Sequence, residues 1–173
     1  MTLKVQRVPA EYQEARIAPS VKEIVLGKPW VTLLLIGPAG TGKTTQLWGL
    51  HRHLVKGNEY TGEHDVHIIS ECEDIDRRRY ELDFVEEWAQ FENVLCIDDI
   101  GYKKPTDWNT QCFYFITNYR RRHGLFTIWT TNLTVEELKD YYGAAIASRI
   151  MGGVIFETGG KDKRLIDPSE MPF

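Results

Sequence analysis

Short apolar runs alternate with longer amphipathic segments along this 173-residue chain. The apolar runs are three to six residues long, a length typical of buried strands. The segments between them repeat apolar residues every three or four positions, the spacing of a helix with one buried face. The predicted strands cover residues 31–36, 66–69, 94–99, 125–130 and 154–156. We therefore predict an α/β fold with a five-stranded, mostly parallel sheet flanked by helices.

Start and stop signals bound the predicted helices. Ser20 and Thr106 are candidate N-caps, and residues 134–137 have the spacing of a capping box. The buried face of the helix after Thr106 is expected to consist of Trp108, Cys112, Phe115 and Tyr119. The predicted helices cover residues 44–55, 74–90 with a break at 80–83, 106–122, 134–142 and 144–150. A strand over residues 163–166 is expected to pair with the fifth strand.

The loop that follows the first predicted strand reads Gly37-Pro38-Ala39-Gly40-Thr41-Gly42-Lys43-Thr44, with Thr45 next. This is the Walker A pattern, and it lies between a strand and a helix, the setting in which the pattern binds phosphate. Its glycines let backbone N–H groups turn toward phosphate oxygens, and the helix N-terminus adds partial positive charge. We predict that residues 37–45 bind ATP, that Lys43 contacts the β- and γ-phosphates, and that the Thr44 hydroxyl holds Mg²⁺.

The third predicted strand ends in two adjacent carboxylates, Asp98 and Asp99, as a Walker B strand does. We expect Asp98 to orient Mg²⁺, and Asp99 to replace the glutamate base that activates the attacking water in many ATPases. The alternative for Asp99 is that it only caps the following turn. Asn132 follows the fourth strand, where it either contacts the γ-phosphate or the attacking water, or is a turn residue.

Composition limits the remaining possibilities. The formal net charge is −4, so any contact with nucleic acid requires a local basic patch. The three cysteines have neither metal-binding nor disulfide spacing, and the histidines at 51, 53, 64 and 67 lack matching metal ligands. No apolar run is long enough for a signal peptide or a membrane span. We expect a cytoplasmic enzyme with no membrane contact.

Five short segments, spread from the start of the chain to its end, match the motifs of one ATPase family. They are Val8-Pro9-Ala10-Glu11-Tyr12, Asp98-Asp99-Ile100-Gly101, Thr130-Thr131-Asn132-Leu133, Ala147-Ser148-Arg149-Ile150 and Gly160-Lys161-Asp162-Lys163-Arg164. In this order they resemble the AAA+ ATPases of the DnaC/DnaI helicase-loader group, and the IstB transposition ATPases share the pattern. The resemblance implies that Asn132 is the sensor 1 residue and that Arg149 is the arginine finger.

The resemblance covers nearly the whole chain, so we expect a single AAA+ domain over residues 1–173, with residues 1–28 as a lead-in. Loaders of this group usually carry an N-terminal helicase-binding domain, whereas only the lead-in precedes the first strand here. This difference leaves the mode of helicase binding open. We also expect no C-terminal helical lid and hence no lid arginine, in agreement with the family.

Arg77-Arg78-Arg79 follows the second strand, where helicase loaders and related initiators insert a helical element that contacts single-stranded DNA. By this resemblance the three guanidinium groups bind DNA phosphates. The alternative is a solvated helix face, whose charge is balanced by the neighbouring acids at positions 73, 74, 76, 81 and 83.

The resemblance implies a function in DNA replication. We expect an ATP-dependent loader of a DnaB-type replicative helicase onto single-stranded DNA, encoded by a phage or mobile element in view of its small size. ATP is expected to control assembly of a homo-oligomer. Three alternatives remain open: an IstB-like transposition ATPase, an ATP-binding adaptor that does not hydrolyse, and a metabolic P-loop kinase, for which no acceptor site or lid arginine is found.

Overall fold

A single parallel sheet organises the part of the chain that the computed structural model describes, residues 6–27, 32–57, 66–78 and 80–160. Its five strands lie in the order β2-β3-β4-β1-β5, and every strand pair is parallel. The strands are β1 (Thr32–Ile36), β2 (Val66–Ser70), β3 (Val94–Ile100), β4 (Thr127–Thr131) and β5 (Val154–Glu157). The predicted α/β sheet is therefore confirmed, with strand ends shifted by at most two residues.

Helices connect and cover these strands. The α-helices of the described residues are α1 (Pro19–Gly27), α2 (Lys43–Gly57), α3 (Leu82–Gln90), α4 (Asp107–Arg122) and α5 (Val135–Ile150). A 3₁₀ turn at Ala10–Tyr12 and a π-helical turn at Glu71–Ile75 complete the set. None of the helices described is long and apolar enough to cross a membrane.

Both faces of the sheet are covered, which explains why β1 is a continuous apolar run. Leu34 and Ile36 of β1 belong to one core cluster, which includes residues of α3, α4 and α5. Leu33 and Leu35 belong to a second cluster, which includes residues of α1 and α2. Successive strand residues point to opposite faces, so a sheet between two helix layers buries all of them.

Two of the three expected helix starts are correct. The Thr106 hydroxyl accepts from the Asn109 N–H and the Thr134 hydroxyl from the Glu137 N–H, and both helices have complete capping boxes. The expectation that Ser20 is an N-cap is wrong, because α1 begins at Pro19. Proline suits a first helical position, since its φ is preset and its missing N–H has no partner there anyway.

The buried face of α4 differs from the predicted one. Trp108 and Cys112 are buried as predicted, but Phe115 is 39% exposed and Tyr119 is half-buried. The rings of Phe115 and Tyr119 stack with centroids 6.3 Å apart, and Tyr119 packs against the main core cluster. The other inward residues are Asn109, Phe113, Ile116, Thr117 and Arg120. This face is wider than an apolar stripe because α4 packs against both α3 and α5.

The α5 helix consists of two halves that meet at Gly143, which agrees with the two helices predicted over 134–142 and 144–150. Gly143 has φ 79° and ψ 156°, a combination that residues with a Cβ rarely adopt. Tyr142, the last residue of the first half, is buried, and the second half carries Arg149. The two halves are joined by a kink, and buried residues of both pack in the same core cluster.

The segment between β2 and α3 is less regular than predicted. The prediction that residues 74–90 are mostly helical is only partly correct, because the π-helical turn ends at Ile75 and α3 begins only at Leu82. The predicted break at 80–83 is confirmed by Tyr80, whose φ of 73° interrupts any helix. The expected strand over 163–166, the closing segment after Gly160, and residues Val31 and Arg79 lie outside the described part of the chain.

Candidate nucleotide-binding site

The carboxyl ends of the parallel strands meet at one edge of the sheet, and the predicted site residues follow them. The phosphate loop, residues 37–44, follows β1; Asp98 and Asp99 lie at the end of β3; and Asn132 follows β4. The chain leaves β1 toward β2 on one side and returns from β4 to β5 on the other, so the strand order reverses at β1. Ligands of open parallel sheets bind at such a reversal.

Lys43 begins α2, and only 6% of it is exposed. Its Nζ donates to the carbonyl oxygens of Gly37 at 2.6 Å and Pro38 at 2.8 Å. The ammonium group therefore lies against the backbone of its own loop, at the N-terminus of a 15-residue helix. A phosphate at this helix end meets the charge of Lys43 together with the partial positive charge of the helix.

The end of β5 packs against the start of the phosphate loop. Gly37 has φ 149°, and a Cβ built there lies 2.1 Å from the Thr158 carbonyl oxygen, so this approach requires glycine. The Thr158 N–H donates to Ile36 O at 2.7 Å, and the Thr158 hydroxyl lies 2.7 Å from the Thr41 hydroxyl. Thr158, which the sequence analysis did not single out, therefore supports the loop from the side.

Asp98 joins the phosphate loop to the end of β3. Its Oδ1 accepts from the Thr44 hydroxyl at 3.2 Å and from the Thr130 hydroxyl. The side chain is buried, and this burial raises the pKa of Asp98, while the two hydroxyl bonds oppose the rise. Nearby Asp99 adds to the rise through repulsion between the two negative charges. A cation placed beside Asp98 stabilises its ionised form.

Thr44 and Asp98 are suitably spaced to share a magnesium ion. Mg²⁺ takes six oxygen ligands at 2.0–2.1 Å, so two neighbouring ligands of one ion are ~2.9 Å apart. The Thr44 Oγ1 and Asp98 Oδ1 atoms are 3.2 Å apart. Among the described residues, no group of three or more His, Cys, Asp or Glu side chains can hold a metal ion. Magnesium at this position therefore needs phosphate and water oxygens as its other ligands.

Asp99 lies on a β-bulge that turns it away from the sheet. The pairing of β3 with β4 changes register between Ile97 and Ile100, and Asp99 has φ 53° and is exposed. Its N–H donates to the Thr130 hydroxyl at 2.8 Å, and its Oδ1 accepts from Asn132 Nδ2 at 3.0 Å. Bulges commonly redirect a side chain beside an active site. This pair presents a carboxylate and an amide together, which are groups able to orient a water molecule.

Three further side chains hold the backbone of residues 98–101, and the sequence analysis missed all of them. Thr130 contacts both Asp98 and the Asp99 N–H, as described above. The Thr131 hydroxyl donates to Ile100 O at 2.8 Å. Glu71 accepts from the Gly101 N–H at 2.7 Å. The two threonines end β4 beside Asn132, which is a usable signal, whereas Glu71 is one of several acids after β2 and carries no distinguishing pattern.

Arg149 lies apart from these residues, on the side of α5 that packs on α4. Its Nε donates to Asn118 Oδ1 at 2.7 Å and its Nη1 to Ala145 O at 2.6 Å. The guanidinium also lies over the ring of Tyr114, 5.4 Å from its centroid. No carboxylate among the described residues forms an ion pair with it. The charge of Arg149 is therefore held at the surface by neutral groups.

The arginines after β2 divide into two environments. Arg77 is exposed, whereas the guanidinium of Arg78 lies 3.7 Å from the centroid of the Phe84 ring. Arg79 lies outside the described residues. Tyr80 and Leu82 follow, with 72% and 63% of their surface exposed. An exposed cation and an exposed aromatic residue within one short segment suit a single nucleic-acid strand, since phosphates and bases are bound by these two groups.

Solved structures of replication proteins have the same fold as this chain. The "DnaC helicase loader" structure is 18% identical, with 87% of this chain and all of that chain covered and a TM-score of 0.71. The DnaI structure is 21% identical, with 91% of this chain and 94% of the DnaI chain covered and a TM-score of 0.72. The likeness to helicase loaders expected from the sequence is thus confirmed at the level of the fold.

A replication initiator, DnaA, shares the fold over a part of its length. The structure of DnaA bound to AMPPCP and single-stranded DNA is 20% identical, with 83% of this chain covered and a TM-score of 0.66. The match spans 45% of that DnaA chain. No family model matches this chain. No curated protein matches it in sequence either.

Proposed function

We propose that this protein binds and hydrolyses ATP and loads a DnaB-type replicative helicase onto single-stranded DNA. The observation that carries the proposal is the contact between Thr44 and Asp98 across 3.2 Å, which brings the phosphate loop and the acidic end of β3 into one site. The fold shared with DnaC and DnaI supports the loader role. A protein acting at replication forks in this way works in the cytoplasm.

The residues of the site have distinct roles in this proposal. Residues 37–45 bind the phosphates, with Lys43 neutralising their charge and Thr44 and Asp98 holding the magnesium that accompanies ATP. Bound magnesium would withdraw charge from the β- and γ-phosphates. Asp99 takes a proton from the attacking water, and Asn132 fixes the orientation of the Asp99 carboxylate through their hydrogen bond.

Arg149 completes the site of a neighbouring copy in an ATP-dependent homo-oligomer. Its guanidinium is half-buried, is bound to neutral groups of α4 and α5, and has no described carboxylate partner. Such a cation can contact the γ-phosphate of another subunit and stabilise the charge that develops during transfer. Assembly then depends on ATP, because ADP lacks the γ-phosphate.

Single-stranded DNA is the second proposed ligand, and Arg77, Arg78 and Arg79 are its proposed contacts. The exposed side chains of Arg77 and Tyr80 support this assignment. The solved structure of DnaA with AMPPCP and single-stranded DNA, part of which has this fold, supports the pairing of these two ligands. The described ion pair of this region joins Asp76 to Lys103, and a solvated face remains the alternative for Arg77.

The experiment that tests the proposal is a loading assay with purified protein, a DnaB-type helicase and single-stranded DNA coated with binding protein. We expect helicase-dependent unwinding only when this protein and ATP are both present, together with phosphate release stimulated by DNA or helicase. Lys43→Ala serves as the inactive control, because it removes the charge that meets the phosphates. Unwinding that is equally fast without this protein or with Lys43→Ala would refute the loader role.

One observation favours a second candidate, an ATP-binding adaptor that does not hydrolyse. The base position holds Asp99, whose carboxylate is one methylene shorter than glutamate and is bound to Asn132. A shorter reach places the attacking water less well. Tight ATP binding with no phosphate release, in the presence of both DNA and helicase, would select the adaptor.

A further inference from the structure

Glu71 is a fully buried carboxylate to which the proposed function gives no role. It follows β2 directly and has 0% exposure. Its Oε2 accepts from the Gly101 N–H at 2.7 Å and from the Tyr142 hydroxyl at 2.8 Å, and its Oε1 accepts from Asn109 Nδ2 at 3.1 Å. Burying a carboxylate is costly even when it is hydrogen-bonded, and apolar side chains fill such space more favourably. This network is therefore poorly explained by stability alone.

The three donors belong to three different elements around the nucleotide site. Gly101 comes two residues after Asp99, at the end of β3. Asn109 lies in the first turn of α4. Tyr142 is the last residue of α5 before the joint at Gly143, beyond which the helix carries Arg149. Glu71 thus connects the backbone next to the proposed base with the helix that carries the proposed finger.

The network accepts only a carboxylate at position 71. Asn109 Oδ1 accepts from the Thr106 N–H, so its Nδ2 is directed at Glu71 and, at 2.8 Å, at Asp76. Flipping the Asn109 amide would break the capping box of α4. A glutamine at 71 that keeps its oxygen toward Gly101 turns its NH₂ group toward the NH₂ group of Asn109, and two donors cannot bond.

The backbone that Glu71 holds is irregular and needs outside support. Asp99 has φ 53° and Gly101 has φ 78°, both in the left-handed region. A Cβ at Gly101 would lie 2.3 Å from Leu133 Cδ1, so the chain passes very close to the residue after Asn132. A non-glycine residue in this region persists only where its surroundings over-determine it. Thr130 holds the Asp99 N–H, and Glu71 holds the Gly101 N–H.

We propose that Glu71 is a positioning residue, which sets the end of β3, and with it the Asp99 carboxylate, and ties this end to the half of α5 that ends at Tyr142. The inference rests on the proposed function in one respect, since it takes Asp99 as the base for ATP hydrolysis. Glu71 itself does not touch nucleotide. Its loss therefore affects the chemical step rather than ATP binding.

The first test compares Glu71→Gln with Glu73→Gln, a matched control on an exposed acid of the same π-helical turn. For Glu71→Gln we expect the KM for ATP and the Kd for a fluorescent ATP analogue within about twofold of wild type, and kcat about 10- to 100-fold lower, because small displacements of a reacting group have effects of this size. Glu73→Gln should match wild type. A wild-type kcat in Glu71→Gln, or equal losses of kcat and ATP affinity, would overturn the proposal.

The second test does not depend on turnover. In hydrogen exchange, the Gly101 amide of Glu71→Gln should exchange at least about tenfold faster than that of Glu73→Gln. The reason is that the hydrogen bond from the Gly101 N–H to residue 71 is weakened. Tyr142→Phe removes the hydroxyl that donates to Glu71, so it should alter amide exchange in residues 144–150. It keeps the bond between the Gly101 N–H and Glu71, so exchange of the Gly101 amide should be unchanged. Circular dichroism melts confirm that each variant is folded.

The two tests separate the two proposals. If wild type hydrolyses no ATP under any condition, the proposed function fails, and hydrogen exchange alone then decides whether Glu71 holds the end of β3. If wild type hydrolyses ATP while Glu71→Gln behaves like Glu73→Gln in both tests, the role of Glu71 is refuted and the proposed function stands.

Discussion

The Thr130 hydroxyl donates to the buried carboxylate of Asp98, although the two residues are 32 positions apart and lie on neighbouring strands. The same hydroxyl accepts from the Asp99 N–H at 2.8 Å. One side chain of β4 therefore holds both acidic residues of β3 in place.

Replacing this hydroxyl should destabilise the end of β3. We expect Thr130→Val, which keeps the branched shape, to lower the free energy of unfolding by about 1–3 kcal/mol, because a buried acceptor and a backbone donor lose their partner. Urea unfolding measures the change. Thr130→Ser retains the hydroxyl and is the matched control; equal stabilities of the two variants would contradict the prediction.

Substitutions of the two carboxylates should affect nucleotide binding and turnover separately. Asp98→Asn is expected to weaken magnesium-dependent binding of ATP, whereas Asp99→Asn should leave binding intact and stop hydrolysis, because a base acts on the water and not on the bound nucleotide. Titration with a fluorescent ATP analogue and phosphate release measure the two properties. Wild-type turnover by Asp99→Asn would remove Asp99 from catalysis.

Arg149 should act on a neighbouring subunit. Arg149→Ala retains its own phosphate loop and Lys43→Ala retains its own arginine, so each variant alone should be inactive. A mixture of the two should recover part of the ATPase activity, because some interfaces join an intact loop to an intact arginine. A well-placed arginine finger increases the kcat of hydrolysis by a factor of about 10³–10⁵.

The control for this mixing experiment is Arg122→Ala, which removes an exposed arginine at the end of α4 and should retain activity alone. Co-assembly of the two inactive variants is checked by cross-linking. Co-assembled mixtures that remain inactive would refute the action in trans.

The arginines after β2 should contribute unequally to DNA binding. We expect Arg77→Ala to reduce the slope of log K against log salt by about 0.7 for single-stranded DNA, the value of one lost phosphate contact. Arg78→Ala should also reduce stability by about 0.5–1 kcal/mol, because its guanidinium lies on the Phe84 ring. Replacing all three arginines should flatten the slope further. An unchanged slope in that triple variant would favour the solvated face.

The stability of the fold should fall in mild acid because of His67. Burial, with help from the charges of His51 and Arg78, lowers the pKa of His67 to about 4. The unfolded chain binds this proton near the ordinary pKa of about 6.5 and the folded chain does not, so stability is lost as the pH falls from about 6.5 toward 4.

We expect this loss to be about 1–3 kcal/mol, since the side chain is only partly buried. Urea unfolding at pH 7 and pH 4.5 measures it. His67→Phe keeps an aromatic ring beside Phe91 and cannot bind a proton, so its unfolding should depend less on pH. An identical pH dependence in the two proteins would contradict this assignment.

The sequence predicted the sheet, and it also predicted which elements carry the candidate site residues, because these depend on local patterns. Apolar runs, the capping boxes at Thr106 and Thr134 and the phosphate loop are all readable within a few residues. The supporting groups were not predictable in this way, because they join distant segments. Glu71 contacts Gly101 and Tyr142, 30 and 71 residues away.

Arg120 shows how a local pattern can mislead. Arg120 is one of three arginines in the last turn of α4, where exposed cations commonly balance the partial negative charge of the helix end. In the structure it has 1% exposure, and its guanidinium donates to the carbonyl oxygens of Phe91, Asn93 and Phe126. The carbonyl groups that accept from Arg120 lie between helices and strands, and only the tertiary fold brings them together. Its burial also explains the wider inward face of α4.

The joint at Gly143 fixes the direction of the arginine-bearing half of α5 through a backbone conformation that glycine adopts readily. A Cβ at this position meets no atom within 4 Å, so a side chain is opposed by the backbone conformation alone and not by crowding. At φ 79° and ψ 156° every other amino acid favours a return toward helical values. The buried residues Ile146, Ala147 and Ile150 oppose that return, because they pack in the same core cluster as Tyr142. Any other residue at 143 would therefore store conformational strain at the joint rather than redirect the helix.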